Sequence, residues 1–233
     1  MPDLPIHLWY TITNLGGAAV TLPLALAIGL WLASGYSVRM GASWLLLLGI
    51  AIGLVTATKI AFLGWGVGIR ELDFTGVSGH AMLSTAVYPV GFFLMLPRVR
   101  RTWRIVGVVV GLATGVAVGL SRIVLDAHSP SEAVAGCVVG ALTALAFVGY
   151  GWDAQPTRLS ALAVTASLAA ITVALHSVHL PTHRWLTHLA LTVSGHPQPY
   201  VRARWKAGRG PRHPPGATSQ THDARSIPAP RAT

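Results

Sequence analysis

The chain has 233 residues, 52% of them hydrophobic and only 10% charged, with a formal net charge of +10. Soluble domains carry about 25% charged residues, so this balance excludes an ordinary soluble domain; the mean hydropathy of +0.57 points the same way, to a membrane protein. The single cysteine, Cys137, excludes an internal disulfide framework.

The chain opens Met-Pro-Asp-Leu-Pro, without the positive n-region of a cleaved signal peptide, so the first apolar stretch is expected to remain in the mature protein. Six apolar runs follow, at about 18–33, 43–63, 81–97, 103–125, 131–150 and 159–178. A span needs about 20 helical residues, which makes the first and third runs short but admissible. The expected fold class is therefore all-α, a polytopic membrane bundle of about six transmembrane helices. In the fourth run Gly107, Gly111, Gly115 and Gly119 form one stripe of small residues, which predicts close approach of a neighbouring helix. Residues 182–195 read as an interfacial helix. From 196 to 233 the chain is proline-rich and basic, with seven Lys and Arg against Asp223 alone. Such a segment buries too little apolar surface to offset its ordering entropy, so disorder is expected there. Its cations suit anionic lipid headgroups; nucleic acid is not an expected partner. The expected division is thus a membrane-embedded domain over 1–195 and a disordered tail over 196–233.

Sidedness follows from the connection between runs three and four, which holds Arg98, Arg100, Arg101 and Arg104. The positive-inside rule puts it in the cytoplasm. His80 at the start of run three, Ser121-Arg122 near the end of run four, and Lys59 and Arg70 at and beyond the end of run two then reach the same outer face. The same parity places the basic tail outside, against the charge rule.

Ionisable groups among apolar helices are costly and usually functional. Ser78-Gly79-His80 stands where run three begins. Ser78 suits an N-cap, the free N–H groups of a first turn suit a phosphate, and His80 suits a proton donor. Read blandly, the same tripeptide is an ordinary cap beside an interfacial histidine. Arg122 offers a planar fork of donors to phosphate oxygens and Ser121 a hydroxyl, or Arg122 snorkels at a span end. His128 suits attack on phosphorus as a neutral imidazole. Ser129-Pro130-Ser131-Glu132 reads as a capping box, and Glu132, four residues after His128, is also placed to orient the imidazole; both readings are open. Asp126 is expected to bond locally in its loop, and Glu71 and Asp73 to pair with Arg70 or face solvent. His176, His179, His183 and His188 invite a metal reading, but Pro181 breaks the regular helix that an i,i+4 ligand pair needs, and an interfacial role is preferred.

With these residues the chain resembles the type-2 phosphatidic acid phosphatase superfamily, which includes lipid phosphatases and vanadium haloperoxidases. The likeness spans about residues 59–140 and rests on Lys59 with Arg70, on Val77-Ser78-Gly79-His80, and on Ser121-Arg122, His128 and Glu132 in order. It departs from the family pattern in three places. Valine stands for proline before Ser78, glutamate for aspartate at 132, and the interval from Lys59 to Arg70 is longer than usual.

The resemblance implies His128 as nucleophile, His80 as general acid and Glu132 as the carboxylate that orients the nucleophile. Lys59, Arg70, Ser78, Gly79, Ser121 and Arg122 would line the phosphate pocket. It implies hydrolysis of a lipid phosphate or diphosphate through a phosphohistidine with no metal or other cofactor, in a bacterial inner membrane with the site facing the periplasm. Phosphotransfer to a lipid or sugar, or a non-catalytic scaffold or transporter with a degenerate site, are the alternatives. Substrate choice and oligomeric state are open at this level.

Overall fold

The computed structural model describes residues 5–97, 99–156, 160–178 and 180–208. The helices are α1 (Ile6–Leu15), α2 (Ala18–Gly35), α3 (Val38–Trp65), α4 (Gly79–Met95), α5 (Arg101–Val124), α6 (Pro130–Gly151), α7 (Ala161–Leu175), α8 (Thr182–Ser194) and α9 (Arg202–Lys206). Among the described residues there is no strand, only an isolated antiparallel bridge between Ile69 and Phe74. Each of the six apolar runs lies on one helix, α2 to α7. Four stretches, Ile6–Gly35, α3, α5 and α6, are long and apolar enough to cross a membrane, and α4 and α7 are shorter apolar helices.

The outward faces are apolar where a soluble protein would be charged. Leu30 on α2, Leu46 and Ile50 on α3, Val109 on α5 and Leu142 on α6 are all exposed, as lipid requires. The inward faces meet around α4, whose Ala81, Met82, Ala86, Val87, Val90 and Phe93 are buried. Glycines let α5 and α6 close on it from two sides. A β-carbon on Gly111 would lie 2.5 Å from the Pro89 backbone, and one on Gly115 would lie 2.5 Å from Thr85. On α6, one on Gly136 would meet the Ser78 carbonyl at 2.6 Å. The stripe expected on the fourth run therefore packs directly on α4.

The two ends of the bundle differ in chemistry. At one end Arg104 donates to the Trp152 carbonyl at 3.0 Å, closing the C-terminus of α6. Its guanidinium also lies 4.4 Å from the Phe93 ring centre and 4.7 Å from that of Trp152. Arg39, at the start of α3, belongs to this end. At the other end α3 stops at Gly66, whose left-handed φ of 70° is open to glycine. The N–H of Val67 then returns to the Ala61 carbonyl at 3.2 Å. The starts of α4 and α6 and the end of α5 share this second end. There α1 leans on α5, and Tyr88 of α4 donates to the Leu15 carbonyl at 2.8 Å.

If α5 and α4 owe their approach to glycine, Gly111→Ala lowers stability by about 1–3 kcal/mol, read as a drop in the thermal midpoint in detergent. Gly53→Ala is the control, because an added carbon there meets nothing within 4 Å; its midpoint stays at or above the wild-type value.

Candidate active site

The polar residues that the sequence scatters over several helices meet at this second end around one cavity of about 430 Å³. Lys59 lines it from α3, Thr75 and Gly76 from the loop before α4, His80 from α4, Arg122 from α5 and His128 from the α5–α6 loop. His183 and Leu186 of α8 and Tyr200 and Arg202 of the C-terminal segment complete the wall.

The α5–α6 loop aims the histidine. After Val124 the helix unwinds, and the N–H groups of Ala127 and His128 both return to the Arg122 carbonyl, at 3.0 and 3.2 Å. Asp126 makes the left-handed turn, with φ 51°, and is exposed. Ser129 then caps α6 in a complete capping box with Glu132, and Pro130 takes the first helical position. Glu132 is thereby set one turn above His128, and its side chain has no exposed surface.

Both roles weighed for Glu132 are present in its contacts. Its carboxylate accepts from His128 Nδ1 at 2.7 Å and from the Ser129 N–H at 3.3 Å. It also accepts from the Thr75 N–H at 2.7 Å and the Thr75 hydroxyl at 2.6 Å. An ionised carboxylate only accepts, so the proton on the imidazole lies on Nδ1, and Nε2 carries the free lone pair. Burial holds the His128 imidazole below the usual histidine range. The hydrogen bond to Glu132 works against this, and the charges of Lys59 and Arg122 work with it. A neutral, oriented imidazole is what nucleophilic attack requires.

The cations stand near it. A β-carbon on Gly79 would lie 3.9 Å from Lys59 Nζ, so the first turn of α4 and the ammonium face one space. Arg122 donates to the Thr13 hydroxyl of α1 at 3.0 Å, and its Nε is buried without a hydrogen-bond partner among the described residues. Ser78 occupies the N-cap position of α4, but its side chain makes no cap bond; its hydroxyl is buried and unpartnered among the described residues. The Ser78 N–H instead donates to the Glu132 carbonyl at 3.1 Å, tying α4 to α6.

Of the six residues expected to line the pocket, Lys59 and Arg122 do so, while Ser78, Gly79, Ser121 and Arg70 lie outside its lining. The Ser121 hydroxyl is buried and donates back to the Val118 carbonyl at 2.6 Å. Arg70 follows the break at Gly66 into a 3-10 helix, Arg70–Leu72, where its guanidinium stands 5.5 Å over Trp205. Asp73 pairs neither with Arg70 nor with solvent alone; Lys206 reaches it at 2.7 Å and Arg202 at 3.5 Å. Of the late histidines, His183 lines the cavity, His176 bonds the Val173 carbonyl, and His179 lies outside the described residues. Among the described residues no group of three or more His, Cys, Asp or Glu is placed to hold a metal ion.

Thr75, Thr13 and Arg202 carry no sequence signal of their own. Arg202 belongs to the tail, whose first part, to Gly208, is described, while 209–233 lies outside the described residues. This part docks on the carbonyls that the end of α3 leaves without partners. Tyr200 N–H donates to Leu63 at 3.0 Å, Trp205 Nε1 to Gly66 at 2.7 Å, and His196 Nδ1 lies 2.6 Å from the Gly64 carbonyl oxygen. Trp205 also packs edge-on to Phe62, with ring centres 5.4 Å apart. The aromatic residues Tyr200 and Trp205 were the only hint that this basic stretch is not all solvent-borne.

Known proteins resemble this chain in sequence. A family model described as the PAP2 superfamily matches residues 67–156, which include His80, Arg122, His128 and Glu132 but neither Lys59 nor Arg202. An uncharacterized 22.5 kDa protein in the cps region of Klebsiella pneumoniae is 36% identical over 199 residues, which cover 83% of this chain and 95% of the relative. Phosphatidylglycerophosphatase B of Bacillus subtilis (strain 168) is 30% identical over 158 residues, 63% of this chain and 74% of that protein. No solved structure matches.

The double duty of Glu132 separates by mutation. Ser129→Ala removes the cap alone and costs about 1 kcal/mol of stability, with phosphate release staying near wild type. Glu132→Gln lowers both the thermal midpoint and the rate, the rate by about a hundredfold or more.

Proposed function

Because the chain belongs to the PAP2 superfamily, we propose that it is an integral-membrane phosphatase that hydrolyses a lipid phosphate or diphosphate through a phosphohistidine on His128. One observation carries the reading. An imidazole bonded through Nδ1 to a buried carboxylate presents its free nitrogen to a cavity walled by Lys59, Arg122 and His80.

In the first step His128 Nε2 attacks phosphorus, the bond from phosphorus to the leaving oxygen breaks, and His80 gives that oxygen its proton. Lys59, Arg122 and the first-turn N–H groups of α4 stabilise the charge on the equatorial oxygens. Glu132 stabilises the charge that develops on the imidazole. In the second step His80 takes a proton from water, whose oxygen attacks the phosphohistidine and releases phosphate and His128. Every proton movement runs through side chains, and the proposed reaction needs no metal. The name of the Bacillus relative puts phosphatidylglycerol phosphate first among the substrates to test, ahead of phosphatidic acid and undecaprenyl diphosphate.

The site is proposed to face outward, which in a bacterium is the periplasm. Arg39, Arg100, Arg101 and Arg104 gather at the opposite end, where the positive-inside rule wants them. The tail's seven cations stand against that rule, and ion pairs offset two of them among the described residues. Arg202 and Lys206 are paired with Glu132 and Asp73.

His128→Ala is expected to reduce phosphate release from these lipids by about a thousandfold or more; retained turnover would remove the nucleophile assignment. In the wild type the acid limb of kcat/KM falls below about pH 6.5, the ordinary imidazole value, because His128 must be neutral to attack and its pKa is lowered. Orientation is tested by labelling in a Cys137→Ala background. Leu72→Cys should react from outside and Val99→Cys from inside, both positions being exposed. Reaction of both from one side would contradict the topology.

A further inference from the structure

The arginine paired with the Glu132 carboxylate comes from outside the segment that matches the family. One terminal nitrogen of Arg202 lies 2.5 Å and 2.6 Å from the two Glu132 oxygens and donates to the Thr75 hydroxyl at 3.0 Å. Its other terminal nitrogen reaches Asp73 at 3.5 Å. With His128 neutral, Arg202 is the one full positive charge in ion-pair contact with Glu132 among the described residues. A carboxylate without exposed surface is costly to ionise unless paired and hydrogen-bonded. The arginine is itself held in place, because the segment bearing it is fastened to the α3 carbonyls by Tyr200 and Trp205.

We propose that Arg202 is a positioning residue of the hydrolytic site: it pairs with Glu132, fixes the oxygen that orients His128, and makes the C-terminal segment a working part of the active site. The inference rests on the reading of His128 as nucleophile. Arg202 acts through Glu132, so its loss leaves the attacking atom in place but slackens its aim. It also removes a charge that opposes protonation of His128. The groups facing that pair are Lys59 from α3, Asp73 from the preceding loop, His80 from α4, Arg122 from α5, His183 from α8 and Arg202 itself. Of the cations, Arg202 alone is bonded to the carboxylate, so its removal favours the imidazolium and raises the acid limb.

The test uses the full chain in mixed micelles with phosphatidylglycerol phosphate as probe, beside His128→Ala. Arg202→Met should lower kcat/KM by about ten- to a hundredfold, chiefly through kcat. Its acid limb should rise by about half a pH unit or more, because its charge no longer offsets that of Glu132. Arg202→Lys keeps the charge without the fork and should recover part of the rate and restore the limb. The double variant with Glu132→Gln should be no slower than Glu132→Gln alone, since both act on one element. Should Arg202→Met not fold, Arg202→Lys alone and combined with Glu132→Gln form the same cycle. Multiplicative losses, or kcat/KM of the single variant near wild type with an unmoved limb, would overturn the inference while an inactive His128→Ala leaves the main reading standing. Turnover retained by His128→Ala would overturn both.

Discussion

A carboxylate with no exposed surface, Glu132, is the contact on which the site depends. Four residues from three parts of the chain bond to it: His128 and Ser129 of the α5–α6 loop, Thr75 of the loop before α4, and Arg202 of the C-terminal segment. Its main-chain carbonyl adds a fifth tie, to Ser78 at the start of α4. A buried charge left half-satisfied is worse than none. These partners therefore stand or fall together, and their common geometry is what aims Nε2 of His128 into the cavity. The longer reach of glutamate, where the family usually has aspartate, fits a carboxylate that serves several partners at once.

The lipid phase explains why these groups sit at one end. Backbone polar groups must be satisfied within each span, so chemistry is confined to helix ends and loops. Close packing then sets the lateral distances. Glycines on α5 and α6 bring both helices onto α4, and with them Arg122 and Glu132 come within reach of the first turn that carries His80. The opposite end holds the structural cations, with Arg104 satisfying the end of α6. One set of helices thus separates cations that anchor the bundle from cations proposed to bind phosphate.

Much of this was legible in the sequence because it is written in period and spacing. The apolar runs became α2 to α7, and helix parity brought Lys59, His80, Arg122 and His128 to one end. The capping box at Ser129–Glu132 was equally plain, since it depends on four adjacent residues. What escaped depends on long-range packing. Ser121 turned its hydroxyl to its own helix, and the break at Gly66 carried Arg70 to Trp205. Arg202 looked like one of several tail cations. Its place follows from unpaired carbonyls at the end of α3, which no local pattern in the tail announces.

The central claim is that phosphate passes through His128. Its most direct measurement is peptide mapping of the full-length protein quenched in alkali during turnover of a radiolabelled lipid phosphate, because phosphohistidine survives base and not acid. The account predicts label on the peptide carrying His128, present in the wild type and missing from His128→Ala. Label on another residue, or turnover without any labelled intermediate and with inversion at phosphorus, would contradict it.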